Sequence, residues 1–387
     1  MPRPAGSRSS NTAPSDATVV PRGPDREHWS RLASGVLKRA LRLHRGQSVL
    51  IETWTETLPA AEALFAEARR LGIRPMILYM PEGAFFESQR TASPSDANAI
   101  ARPELTAIAS CDAYVVLPGP DDFKRQETLP PANRQAIERR ALVWNRALRL
   151  HSIPSVWLLA ASASPFAARQ YRVSLRAWER EALASSTVDP RRLRAEAAPF
   201  ARALAHGRRV TITHPNGTHL ALGLAGRRPV VDDGVVDAQD LADGRIWTVI
   251  PSGILWVPLD ERVAEGQFLS NRPSRHRRGV IGDVRWTFRK GRLRSYRIGE
   301  GRSLFESLYR RAGAERDRVA LLDIGLNPEI RSFPLAEDQA RGVVTLYIGR
   351  NDDFGGRTRG TFREFAILAG ADVSVDGRPI LRRGHRV

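Results

Sequence analysis

Apolar positions along the chain change their period near residue 208, and the two patterns predict two kinds of architecture. In the first half, Leu32, Val36, Leu37, Ala40, Leu41 and Leu43 recur at helical spacing, and Gly46 follows as a stop signal. Residues 48–54 read as a buried strand, 58–71 as a helix ended by Gly72, and 74–80 as a second strand. The alternation continues with a strand at 113–117, a helix at 133–150 and a strand at 155–159. Strands alternating with helices of this length imply a parallel sheet covered on both faces. Two further helices, 175–184 and 190–206, lead away from it.

From Arg208 the pattern alternates. Residues 210–214, Pro215-Asn216-Gly217-Thr218 and 219–222 predict a hairpin, because Asn-Gly supplies the positive φ angles of a type I′ turn. That hairpin sets His214 and His219 roughly opposite each other. As a metal pair they would supply only two ligands, so a cross-strand polar pair is the plainer reading. Further β signals lie at 247–250, 255–258, 280–288, 293–298 and 343–348, interrupted by one helix with Ser303 and Glu306 at capping-box spacing. The predicted organisation is a disordered basic tail (1–26), an α/β domain (27–185), a linker helix (186–207) and a β-rich domain (208–387).

A chain of 387 residues suits two domains. No apolar run approaches the roughly 18–20 residues of a membrane span, and the tail lacks the apolar core of a signal peptide, which predicts a cytoplasmic protein. Cys111 is the only cysteine, which excludes an internal disulfide and a thiolate zinc cluster, and it reads as a small core residue. The formal charge of +18 raises a nucleic-acid partner. The cations, however, are almost all arginine, spread along the chain, as a GC-rich genome would produce. Their densest cluster, 272–278 with His276, has no interleaved aromatics for base stacking and reads as a solvated loop. Nucleic-acid binding is therefore the weakest reading.

Phosphate-binding glycine motifs and a GxSxG elbow are both missing, and Ser252 reads as a turn residue. Pro118-Gly119-Pro120-Asp121-Asp122 follows a strand, at the carboxyl end where open α/β sheets hold ligands; a plain loop is the alternative.

Pro251-Ser252-Gly253, Ala-Leu-Leu-Asp-Ile-Gly-Leu-Asn-Pro over 320–328, Glu337-Asp338-Gln339, the strand 342–349, Gly355-Gly356 and Val375-Asp376-Gly377 recur in one order and spacing. With Ser174 to Trp178, Val188-Asp189 and Pro215-Asn216-Gly217-Thr218, they resemble the aminopeptidase T-like metallo-aminopeptidases from about residue 36 to 384. The resemblance implies an α/β fold, with an N-terminal parallel α/β domain plus a C-terminal predominantly β (α+β) domain, and a homodimer. It also implies two metal ions that activate water and grip a carbonyl. Their ligands in the family are a glutamate after Pro-Ser-Gly, a glutamate before Gly-x-Asn-Pro, a strand histidine and a closing His-x-Asp. Those positions fall here on Ile254, Asp323, Thr345, Arg363 and Phe365, and no histidine lies between His276 and His385.

On this basis the expectation is a family member without a metal cofactor, a pseudoenzyme or binder of a peptide or small molecule. Its site would be lined by Asp323, Arg363, Glu364, Glu337, Asp338 and Tyr347, with Arg363 paired to Asp323 in place of a metal. The alternative is a metal-dependent aminopeptidase with ligands drawn from Asp260, Glu261, Glu265, Asp323, Glu337, Asp338, Asp352 and Asp353. Such a carboxylate set suits magnesium, calcium or manganese more than zinc.

Overall fold

The computed structural model describes residues 24–276 and 278–387. The expected tail lies outside them, apart from Pro24, Asp25 and Arg26, which open a helix at Pro24–Ser34. Strands β1 (Ser48–Trp54), β2 (Arg74–Met80), β3 (Ala113–Val116) and β4 (Ser155–Leu158) fall where the apolar runs place them. After them come β5 (Arg209–His214), β6 (Thr218–Leu224), β7 (Val230–Asp232), β8 (Trp247–Ile250), β9 (Ile254–Leu269) and β10 (Ser274–His276). The chain continues through β11 (Gly279–Arg289), β12 (Arg292–Glu300), β13 (Val319–Gly325), β14 (Val344–Gly349), β15 (Arg363–Leu368) and β16 (Asp372–Val375).

The first sheet is parallel, in the order β2-β1-β3-β4-β8. Parallel strands are covered on both faces, which is why β1 is buried along most of its length, with Val49, Leu50 and Ile51 consecutive. Val49 and Ile51 enter one core with Leu64 of the helix Leu58–Arg70, and Leu50 enters another with Tyr114, Trp144 and Leu148. Strand β8, expected in the β-rich half, instead adds the fifth parallel strand, where Trp247 packs edge-on to Tyr114. A four-residue run, Trp-Thr-Val-Ile, carries no mark of which sheet it will join. The helices Glu82–Thr91 and Arg102–Ser110 were not evident in the sequence, because each buries a single large apolar side chain, Phe86 or Ile108.

The second sheet is antiparallel around β9, a strand of 16 residues that pairs with β6, β7, β11 and β13. The helix Pro190–His206, expected as a linker, lays Leu193, Ala197, Phe200 and Leu204 into this sheet's core beside Phe268 and Trp286. In the β5–β6 hairpin His214 opposes Thr218 and His219 opposes Thr213. The loop is thus three residues long, not a two-residue type I′ turn, and the two histidines face opposite sides of the sheet. A shared metal at that pair is excluded, and His214 Nδ1 accepts the Asn216 N–H at 3.0 Å.

The arginine-rich segment is not a solvated loop either. Arg272 donates to the Arg331 carbonyl at 3.0 Å, Arg275 pairs with Glu337, and Arg278 pairs with Glu138 at 2.8 Å. Apposed acids far away in sequence capture Arg275 and Arg278, and a backbone carbonyl holds Arg272. Cys111 is buried, and burial pushes its thiol up to about 11. No helix among the described residues is long and apolar enough to cross a membrane.

Candidate functional site

Strand β13 is buried along its whole length, yet its two faces differ in kind. Leu322 and Ile324 join Val344, Leu346 and Ile348 in the β-domain core. The other face carries Asp323, and residues directly opposed in an antiparallel sheet share a face. Asp323 opposes Trp256 on β9 and Thr345 on β14, Gly325 opposes Ile254, Tyr347 opposes Phe365, and Gly349 opposes Arg363. Register therefore brings Ile254, Asp323, Thr345, Arg363 and Phe365 onto one face, with Tyr347 and Trp256 among them.

The segment after β13 closes over this face. Asn327, fully buried, donates to the carbonyls of Ser185 at 3.0 Å and Ser252 at 2.6 Å, so the Gly-x-Asn-Pro and Pro-Ser-Gly motifs are tied together. A Cβ on Gly325 would collide with the carbonyl oxygens of Asp338 and Ala340, and glycine there lets that backbone cross the strand end. The crossing delivers Glu337 and Asp338 to the site.

The resulting environment is polar, buried and short of partners. Asp323 is 4% exposed, and its Oδ1 has no hydrogen-bond partner. The same holds for its register neighbours, Trp256 Nε1 and Thr345 Oγ1, so three orphaned polar atoms stand in a row across three strands. Tyr347 donates its hydroxyl to Asp338 Oδ2 at 3.3 Å. Burial, and then the charge of Asp338, holds Asp323 well above the usual carboxylate range. Burial likewise pushes Asp338 up to about 6, and Glu337 up to about 7 against the pull of Arg275. Trp256 was not singled out in the sequence; its place in the alternation of β9 was the available signal.

Arg363 does not pair with Asp323. Its Nε donates to the Arg350 carbonyl at 2.9 Å, its Nη2 bonds Asp353, and its guanidinium lies over the Phe354 ring at 4.4 Å. It opens β15, two strands away from β13, and the loop after β14 lies nearer. Glu364 points away from Asp323 and meets His276, whose Nε2 stands 3.0 Å from Glu364 Oε1. Although burial works against it, the Glu364 charge raises the His276 pKa.

Most of the other acids considered as ligands are already engaged. Glu261 takes two bonds from Arg227, each at 2.8 Å, with Asn351 Nδ2 at 3.0 Å and the Arg357 N–H at 2.8 Å. Asp260 bonds Arg262, Glu265 accepts the Lys290 N–H, Asp353 bonds Arg350 and Arg363, and Asp352 lies 3.6 Å from Arg350 Nε. Asp323 and Asp338 remain.

The sequence matches the model of the thermophilic metalloprotease (M29) family over residues 25–316. The chain belongs to that family. Wild-type AmpT from Thermus thermophilus shares its fold, with a TM-score of 0.73 at 17% identity over 94% of this chain and 99% of that one. So does 2,5-dihydroxypyridine dioxygenase from Pseudomonas putida KT2440, with a TM-score of 0.59 at 15% identity over 94% and 97%. No curated protein matches the sequence. Membership of a metalloprotease family overturns the expectation of no metal cofactor.

The residues present narrow which cation. Among the described residues no three or more His, Cys, Asp or Glu side chains converge on one point. Asp323 and Asp338, with the Thr345 hydroxyl beside Asp323, offer oxygen donors alone. Magnesium binds through one or two carboxylates and keeps several waters, and manganese accepts the same ligands, whereas zinc prefers nitrogen and sulfur. The donor set fits the first two.

Proposed function

We propose that this M29 chain is a metal-dependent peptide hydrolase of aminopeptidase type that works with carboxylate ligands. The orphaned Oδ1 of Asp323 carries the reading. A buried polar group without a partner costs about 1–3 kcal/mol, and such costs are retained where a site has work to do. Asp323 and Asp338 would hold the cation, which when bound activates water and polarises the scissile carbonyl. Trp256 Nε1–H and the Thr345 hydroxyl stand beside Asp323, placed to hydrogen-bond a substrate amide. Glu337, with a proton affinity near neutrality, is suited to take and return a proton close to working pH. Asp338, Tyr347 and Phe365 are half-buried and would be where a substrate approaches. A cytoplasmic homodimer completes the proposal; sedimentation velocity reads the mass.

The test is hydrolysis of leucine p-nitroanilide by the purified chain with Mg2+ or Mn2+, and after chelation. Metal-stimulated release is expected. Asp323→Asn or Asp338→Asn should lower kcat/KM by more than the ~10- to 100-fold that loss of an outer-shell partner costs. No stimulation by either metal would overturn the reading and leave a peptide-binding protein without hydrolase activity.

A further inference from the structure

A cleft lies at the carboxyl end of the parallel sheet. The order β2-β1-β3-β4-β8 sends the chain from β1 to one side and then, at β3, to the other, so a crevice opens between the carboxyl ends of β1 and β3. Open α/β sheets take ligands at such a switch point. A narrow cleft of about 30 Å³, room for a group the size of one water or one ammonium, opens there. Trp54 and Glu56 line it from the end of β1, Asp121 from the loop after β3, Ser162 from the turn after β4, and Leu335 from the C-terminal half.

Its chemistry is the reverse of the chain's. No lysine or arginine lines it, in a protein of formal charge +18. A Cβ on Gly119 would collide with the Trp54 ring, so the loop rests on the indole and presents Asp121 to the cleft. Ser164 Oγ lies 2.7 and 2.9 Å from the two Asp121 oxygens, and its single proton leaves most of their lone pairs free. Burial, and then the charges of Glu56, Glu82 and Asp122, raise the Asp121 pKa against the Ser164 bond. Glu82 is committed to the loop, accepting the N–H groups of Asp121 and Asp122 at 2.8 and 3.2 Å.

A separate observation points to a missing partner. Ser162 is only 9% exposed, and its Oγ, closed off from solvent, has no hydrogen-bond partner. Buried hydroxyls are rarely left so, and each exception asks for an occupant.

We propose that this crevice binds the primary ammonium group of a small organic cation. Its N–H groups donate to the Asp121 carboxylate and Ser162 Oγ, and its hydrocarbon body extends out through the mouth past Glu56. Glu56, exposed at the rim, adds to the field. A quaternary ammonium has no N–H for Ser162, and a phosphate would meet acids where the fold has no glycine-rich cradle. A free amine and a peptide N-terminus present the same group. This site does not depend on the hydrolase reading.

Titration calorimetry of the full chain with n-butylammonium tests it. Saturable 1:1 binding is expected with a Kd on the order of 1 mM, the strength open to so small a ligand, and isosteric n-butanol should give none. Ser162→Ala should weaken binding several-fold while leaving the melting temperature unchanged or higher, since it removes an orphaned hydroxyl. Asp121→Asn should weaken it about tenfold or more. If loss of the Ser164 contact unfolds that variant, Ser162→Ala and Glu56→Gln decide. Competition by Leu-Leu, but not by its N-acetyl form, would assign the group to a peptide terminus; competition by neither, with butylammonium still bound, assigns it to a free amine. No saturable butylammonium binding, equal binding of butanol, or an unchanged Kd in Ser162→Ala would overturn the proposal.

Discussion

Glu261 and Asp323 are both buried acids of the β-rich half, 8% and 4% exposed, and their surroundings could hardly differ more. Around Glu261 every direction is answered: Arg227 bidentately, Asn351, and the Arg357 N–H. Burial alone would raise its pKa, but these donors carry it down to about 2. Asp323 has the opposite company, with the acid Asp338 nearby, an unpartnered Oδ1 and two orphaned neighbours. The first arrangement is a solved structural problem. The second keeps an acid ready for a cation or a proton, and only the neighbours tell them apart.

Stability should separate the two most strongly. Glu261→Ala leaves the Arg227 guanidinium, itself 13% exposed, without its partner, and breaking a buried pair costs about 3–5 kcal/mol. Asp323→Asn keeps the shape of a side chain whose Oδ1 has no partner to lose, so a loss within about 1 kcal/mol is expected. Urea unfolding of the two variants reads both. Equal losses would mean that Asp323 is as structural as Glu261.

The same contrast has a pH signature. A raised acid contributes stability that is present below its unfolded pKa and lost as pH rises through its folded one. Glu337, at about 7, and Asp338, at about 6, should therefore make the protein more stable as pH falls from 8 to 5, by on the order of 1–3 kcal/mol. A lowered acid acts in the other direction. Glu261 contributes stability above about 4.5 that disappears as pH falls toward 2. Thermal unfolding across pH 2–8 should give a maximum near pH 5, and Asp338→Asn should flatten the arm above it. An arm that rises toward pH 8 would contradict the raised acids.

The smallest effect concerns Arg363. Its bond to Asp353 is partly exposed, with side chains 22% and 28% accessible, so a double-mutant cycle between them should give about 0.5–1 kcal/mol. Arg363→Ala and Asp323→Asn should simply add. Coupling between those two would restore the guanidinium-for-metal substitution expected from the sequence.

What the sequence determined by itself was the kind of element at each place and the frame of the site. Period-2 and period-3.6 repeats are local facts. They placed β1 and β2, the helix Pro190–His206 and the alternation that puts Asp323 and Thr345 on one face once β13 and β14 pair. The Pro-Ser-Gly and Gly-Leu-Asn-Pro motifs marked a frame, and Asn327 is the side chain that ties it. Who meets whom across that frame was decided by tertiary structure. β8 joined the parallel sheet, His214 and His219 parted by one step of register, and the arginines of 272–278 found Glu337 and Glu138 far away in sequence. Arg363 took Asp353 because two strands separate it from Asp323. Cross-strand register and the burial of a lone oxygen depend on segments distant in the chain, so no local pattern could have shown Trp256, Asp323 and Thr345 left without partners in one row.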